Sequence, residues 1–214
     1  MKFALRILAA LVGLSSVFAS AKVATFTADN FSVTVPDGWS TPPYSPMPAG
    51  SRLVMAGQNP ADHHAYYIIV SGALTHGDAE GFLKGVKEPS IKLGRAVSET
   101  RDETINGVPF ALFDVSQTPT EKPLQLIANA FTKDAVYTVG IIVPSGNIND
   151  AKELQGILHS FQFLTPVATL DPHQKLSTRS EEISKIVGQY LGWLFVGGIV
   201  LAIYFRSVKK KQQR

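Results

Sequence analysis

The chain of 214 residues contains no cysteine. This absence excludes disulfides, a thiol nucleophile, a lipid-modified N-terminal cysteine and every metal site built on thiolates. An exported domain in this chain must therefore be stabilised by packing of its core, and about 140 residues are enough for one such core.

Catalytic motifs are missing as well. The sequence has no G-x-S-x-G elbow and no H-E-x-x-H pair, which are signatures of hydrolases and zinc enzymes. Gly77, Gly81 and Gly85 recur at every fourth position, a spacing that indicates a helix rather than a phosphate-binding loop. We therefore expect a protein that is not an enzyme and carries no cofactor.

The positive charge of the chain lies at its two ends. Of the 20 lysines and arginines, two lie in residues 1–21 and five in residues 206–214, whereas all 17 acidic residues lie between these ends. The stretch between them therefore has 13 − 17 = −4 formal charges. No basic stripe with interleaved aromatics is present, so we expect no nucleic-acid partner.

One long hydrophobic run organises the chain. Residues 186–205 contain no charge, and about 20 such residues span the hydrocarbon core of a bilayer. The run predicts one C-terminal transmembrane helix, with a buried core helix as the alternative. The basic tail, residues 206–214, then marks the cytoplasmic end. Gly188 and Gly192 form a G-x-x-x-G pattern, which would allow a homodimer through this helix.

The N-terminus predicts export. Lys2 and Arg6 precede an apolar stretch that is too short to span a membrane, and a small-x-small site predicts cleavage between Ala21 and Lys22. An uncleaved anchor is the alternative. The predicted organisation is a signal peptide at 1–21, an extracytoplasmic domain at 22–164, a linker at 165–185 and the membrane helix, in a bacterial inner membrane.

The domain is expected to be α+β, with an antiparallel β-sheet covered by α-helices. Alternation predicts a strand over 26–35, and apolar runs predict strands over 53–56 and 66–71. Asn106-Gly107 between the stretches 95–105 and 108–117 predicts a hairpin, and a second hairpin is expected around Lys133-Asp134. Helices are predicted over 78–87, ending before Pro89, and from a cap at Asn147 or Asn149 to Phe161.

Histidines near residue 63 are the candidates for metal ligands. His63, His64 and His76, with Asp62 and Asp78, form the only cluster of such residues, and histidine with carboxylate suits zinc, copper or nickel. No spacing fixes two of them on one element, so exposed loop histidines are the simpler interpretation.

A proline-rich loop is the candidate for partner binding. Residues 39–48 combine four prolines with Trp39, Tyr44 and Met47, and rigid aromatic side chains bind partners at low entropic cost. We take Tyr44 and Met47 as partner-binding candidates and expect Trp39 to fold back onto the core.

Three motifs carry a resemblance to a known family. The segments FSVTVPDGW at 31–39, ETINGVP at 103–109 and HSFQF at 159–163 are similar to the PsbP-like family, which includes extrinsic photosystem subunits, Ran-binding factors and exported bacterial proteins. The resemblance covers about residues 26–163. It implies the family's α+β sandwich fold and a role in binding other proteins.

These observations predict a membrane-tethered, extracytoplasmic module that binds a protein or assists assembly, with the lipid bilayer and a protein as its partners. A metal-dependent hydrolase at His63, His64 and His76 is one alternative. A small-ligand carrier with a pocket between sheet and helices is the other. Converging histidine and aspartate side chains in a concave site would favour the enzyme, and an apolar patch around Tyr44 would favour the module.

Overall fold

The computed structural model describes residues 21–39, 50–72, 79–172 and 188–189. Within these residues, two antiparallel sheets and two α-helices form an α+β fold, as the sequence predicts. Most of the predicted membrane helix, the signal peptide, Tyr44, Met47, His76 and Gly192 lie outside the described residues. No helix among the described residues is long and apolar enough to cross a membrane.

The smaller sheet contains three strands in the order β1-β2-β10. They are β1 (Ala21–Phe26), β2 (Phe31–Pro36) and β10 (Gln162–Phe163). The single strand predicted over 26–35 is wrong, because a 3₁₀ turn over Thr27–Asp29 and a left-handed Asn30 separate β1 from β2. An asparagine accepts this left-handed conformation more readily than most residues do.

The larger sheet is fully antiparallel, and its main path runs β3-β4-β9-β8-β7-β5, with β6 also paired to β7. Its strands are β3 (Ser51–Gln58), β4 (Ala65–Gly72), β5 (Ala96–Val97), β6 (Arg101–Ile105), β7 (Val108–Ser116), β8 (Gln125–Phe131) and β9 (Ala135–Ile142). Both predicted hairpins are confirmed. Asn106 and Gly107 have φ angles of 49° and 79°, as a type I′ turn requires.

One helix lies on each side of the larger sheet. Helix α1 (Ala79–Lys92) packs on one face, and α2 (Lys152–His159) packs with β2 on the other. The predicted end of α1 before Pro89 is wrong. The proline lies inside the helix and is buried, so its packing offsets the backbone hydrogen bond that it cannot donate.

Helix α2 begins later than the predicted caps. Asn147 accepts a hydrogen bond from Asn149 N, but this bond caps a 3₁₀ turn over Ile148–Asp150 rather than α2 itself. The predicted apolar stripe is confirmed for Leu154, Ile157 and Leu158, which are all buried. The predicted end at Phe161 is wrong, because α2 ends at His159; Phe161 is buried but lies beyond the helix.

Phe161 lies at the centre of an aromatic cluster between the two sheets. Its ring centroid is 5.1 Å from that of Phe31, 5.3 Å from Phe110, 5.9 Å from Tyr137 and 5.4 Å from Phe163. Aromatic pairs at these separations each contribute about 0.5–1.5 kcal/mol beyond the burial of their area. The cluster therefore joins β2, β7, β9 and the segment after α2.

Asn106 connects the first hairpin to the same cluster. Its Nδ2 donates to the carbonyl oxygens of His159 and Phe161, at 2.8 and 2.9 Å. Ser160 Oγ, between these residues, accepts a hydrogen bond from Thr34 N at 2.8 Å. The three motifs that carry the family resemblance therefore meet at one place.

This arrangement predicts the effect of two substitutions at Asn106. Asn106→Gly retains the positive φ but removes both hydrogen bonds, and we expect it to lower the free energy of unfolding by about 1–2 kcal/mol. Asn106→Asp should lower it further, because a carboxylate would face two carbonyl oxygens. Urea denaturation of the purified proteins measures both values. Equal free energies of unfolding for the wild type and Asn106→Gly would mean that the two hydrogen bonds donated by Asn106 Nδ2 do not stabilise the fold.

Candidate functional site

A cleft of about 620 Å³ opens where the smaller sheet meets the β3 end of the larger sheet. We call it the Arg52 cleft. Its polar lining includes Asp29, Ser51, Arg52, Ser71, Thr132 and Tyr137. Asp29 comes from the 3₁₀ turn between β1 and β2, and the other five residues come from β3, β4, β9 and the turn before β9.

An ion pair lies at the mouth of this cleft. The Arg52 guanidinium pairs with the Asp29 carboxylate, and the two side chains are 54% and 6% exposed. The carboxylate is therefore buried, whereas the guanidinium keeps part of its surface in contact with solvent. An arginine in this position can still present donors to an acidic or carbonyl-rich ligand.

Tyr137 joins the cleft to the core. Its hydroxyl donates to the backbone oxygen of Asp29 at 2.9 Å, and its ring packs on Phe161. Burial raises the pKa of the Tyr137 phenol; Asp134 raises it further, and Arg52 acts in the opposite direction. The phenol is therefore a hydrogen-bond donor at neutral pH and a poor base.

The hydroxyl groups of the cleft are held by neighbouring polar groups. Ser51 Oγ donates to Ser71 Oγ at 3.0 Å, and Thr132 Oγ1 donates to the Ala135 carbonyl oxygen at 2.8 Å. None of the described lining residues is a histidine that could accept a proton from a serine. The arrangement is suited to hydrogen bonding of a ligand rather than to activation of a nucleophile.

The strand β3 forms one wall of the cleft and the end of the larger sheet. Its described partner is β4 alone, and the register shifts between Leu53 and Met55. Such a bulge increases the local twist of the strand. Gly50 also lines the cleft and is the third residue after Met47 in the sequence.

Of the histidine candidates, His63 and His64 lie elsewhere, in the turn between β3 and β4. His63 has a φ of 63°, and His64 Nδ1 lies 3.3 Å from an Asp62 carboxylate oxygen. Burial raises the pKa of Glu153 on α2; Asp62 raises it further, and His64 lowers it. Within the described part of the chain, no three histidine, aspartate or glutamate side chains are grouped as a metal site would need.

Three further residues named in the sequence analysis lie within the described part of the chain. Trp39 packs against Tyr66, with ring centroids 5.7 Å apart, which confirms that it folds back on the core. Ala21 and Lys22, at the predicted cleavage site, are exposed residues of β1, opposite Pro36 and Val35. Asp29, Arg52 and Tyr137 were not predicted as site residues, because they are distant in sequence and follow no motif.

The buried Asp29 carboxylate makes the cleft sensitive to loss of its partner. We expect Arg52→Ala to lower the free energy of unfolding by about 1–3 kcal/mol, a value reduced from that of a fully buried pair because the guanidinium is partly solvated. The double variant Asp29→Asn with Arg52→Ala should recover most of this loss, since no unpaired charge remains.

Arg101→Ala is the matched control. Arg101 pairs with Asp114 at 2.6 Å, and the two side chains are 44% and 19% exposed. Its loss should cost about 0–1 kcal/mol. Urea denaturation of the three variants and the wild type gives the comparison. If Arg52→Ala were no more destabilising than Arg101→Ala, Asp29 would not depend on Arg52.

Comparison with known proteins identifies the fold. No protein-family model matches the sequence, and no curated protein matches it. The solution structure of cyanobacterial PsbP (CyanoP) from Synechocystis sp. PCC 6803 matches with a TM-score of 0.51 and 11% identity, over 70% of this chain and 95% of that one.

A crystal structure of the Ran-binding protein Mog1p from Saccharomyces cerevisiae matches with a TM-score of 0.40 and 13% identity, over 68% of this chain and 96% of Mog1p. At these identities a structural likeness concerns the fold alone. The match to CyanoP confirms the fold that the three sequence motifs predict: this chain has the PsbP-like fold.

Proposed function

We propose that this chain is a single-pass protein of a bacterial inner membrane whose extracytoplasmic domain binds another protein at the Arg52 cleft. The uncharged run at 186–205, the basic residues after it and the leader before Ala21 support the tether. The mature chain would begin at Lys22 in β1, and the domain would act as a binding or assembly-accessory module without catalysis.

The position of the cleft carries this proposal. The cleft opens beside β3, whose only described pairing is with β4. A free strand edge offers backbone donors and acceptors to an extended segment of a partner, and neighbouring pockets read its side chains. Here the neighbouring groups are the Arg52 guanidinium and the Ser51–Ser71 hydroxyl pair. An extended segment with an acidic side chain fits this combination.

The chemistry of the cleft favours binding over catalysis. The Asp29 carboxylate is paired with Arg52, the Tyr137 phenol is bonded to a backbone oxygen, and Ser51 and Ser71 are bonded to each other. The resemblance to the PsbP-like family, whose members act mainly by binding proteins, points in the same direction. Tyr44 and Met47, shortly before Gly50 in the sequence, stay candidates for additional contacts with the partner.

The volume of the cleft supports a second candidate function. At about 620 Å³, the cleft lies within the range of roughly 300–1,000 Å³ found for small-molecule sites. A small-ligand carrier would use the same Arg52 and hydroxyl groups to bind an anionic ligand. The two candidate functions can be distinguished, because a crosslinking probe at the cleft would contact a protein in the first case and a small anion in the second.

Site-specific photocrosslinking in living cells tests the proposal. A photoreactive amino acid replaces Ser51 at the cleft or, as the control, Thr104 on β6, which also lies at an edge of the larger sheet. We expect the probe at Ser51 to give one discrete protein adduct that the probe at Thr104 does not give. The yield of this adduct should fall severalfold when Asp29→Asn and Arg52→Ala are added, because these changes remove the guanidinium and leave the net charge of the cleft unchanged.

Other outcomes have defined meanings. Identical adducts from both positions, or an adduct indifferent to Arg52, would contradict recognition at this cleft. If the probe at Ser51 gave no protein adduct but native mass spectrometry showed a bound small anion that is lost with Arg52, the carrier would replace the binding module. If this chain itself were found in the soluble fraction of the cells, that result would contradict the membrane tether.

A further inference from the structure

Helix α1 is buried on more than its sheet-facing side. Phe82 and Val86 pack into the core against the larger sheet, and Gly81 and Gly85 are buried as well. In an α-helix, at about 100° per residue, these glycines lie roughly a quarter to a third of a turn away from the line through Phe82 and Val86. A second surface must therefore cover this flank. We call the side formed by Gly81, Gly85 and Glu88 the α1 flank.

Gly188 lies directly on the α1 flank. The residue is buried, and a β-carbon added to it would lie 2.8 Å from Val86 N, 3.0 Å from the carbonyl carbon of Gly85 and closer still to the Phe82 carbonyl oxygen. Only glycine permits this approach of backbone to backbone. Close packing between helices commonly uses small residues in this way.

The next residue adds a polar contact to this packing. Gln189 Nε2 donates a hydrogen bond to the Glu88 carboxylate, and Glu88 also pairs with Lys92 at 2.9 Å. Gly188 and Gln189 belong to the uncharged run at 186–205. The contact therefore joins the start of the predicted membrane helix to the folded domain.

We propose that residues 188–189 pack on the α1 flank, so that the start of the uncharged run is held against the folded domain and these two residues lie outside the hydrocarbon of the proposed span. This inference rests on the proposed tether only for its meaning at the membrane; the docking itself stands on Gly188, Gln189 and α1. Gly188 then serves a contact within the chain, where the sequence alone predicts a contact between two copies.

Because the chain has no cysteine, introduced thiols report this contact without background. The test uses the full-length protein in native membrane vesicles with Glu88→Cys and Gln189→Cys, treated with a short bis-maleimide. The matched control pairs Gln189→Cys with Glu99→Cys. Glu99 is exposed and lies between Ser98 and Thr100, the two residues that Lys87 contacts from the other side of α1.

We expect an internally crosslinked monomer for the Glu88 pair, identified by a linked peptide in mass spectrometry, at a severalfold higher yield than for the Glu99 pair. Adding Gly188→Leu to the Glu88 pair should abolish the product, because the larger residue cannot approach Phe82 and Gly85. Circular dichroism and the unchanged reactivity of a single Glu99→Cys thiol establish that the variant remains folded.

Three results would overturn the docking. They are equal yields from the two pairs, a product that survives Gly188→Leu, and a crosslinked dimer in place of the monomer, which would place a second copy on the α1 flank. Carbonate extraction of the same vesicles tests the tether separately. A crosslinked monomer that is released by carbonate would support the docking and contradict the membrane tether.

Discussion

The packing of Phe161 against Phe31, Phe110 and Tyr137 is the interaction on which the rest of this structure depends. It joins the smaller sheet to the larger one, and the hydrogen bond from Asn106 Nδ2 to the Phe161 carbonyl oxygen holds the backbone of Phe161 in place. Tyr137 contributes to the cluster with its ring and to the Arg52 cleft with its hydroxyl. The aromatic core therefore also positions the Tyr137 hydroxyl in the cleft.

Local signals in the sequence were sufficient for the elements that depend on local chemistry. The Asn106-Gly107 hairpin required only two residues that accept positive φ, and the buried face of α2 follows from helical spacing. The predictions that were wrong concern the boundary between β1 and β2 and the end of α1, and both depend on contacts with distant parts of the chain. β1 is largely exposed and has no buried alternation, and Pro89 remains inside α1 because its burial offsets a lost hydrogen bond. Neither effect can be seen within a short window of sequence.

The candidate site could not be predicted from the sequence for the same reason, because it depends on contacts between distant segments. Asp29, Arg52 and Tyr137 come from three separate segments, and only the meeting of the two sheets brings them together. His63 and His64, which are adjacent in sequence and suggested a metal site, lie in a turn and are bonded locally to Asp62 and Asn59. Sequence motifs identified the fold because the motif residues hold the core, and they did not identify the cleft.

The proposed function requires that a protein partner occupies the edge of β3 when the chain is in its own membrane. Hydrogen exchange of the full-length protein tests this most directly, by comparing native membranes with the purified protein in detergent. If a partner occupies this edge, the β3 amides, Ser51–Gln58, should exchange more slowly in native membranes. Exchange in the β6 edge strand, Arg101–Ile105, should be unchanged. Equal exchange of β3 in both settings would contradict the proposed function.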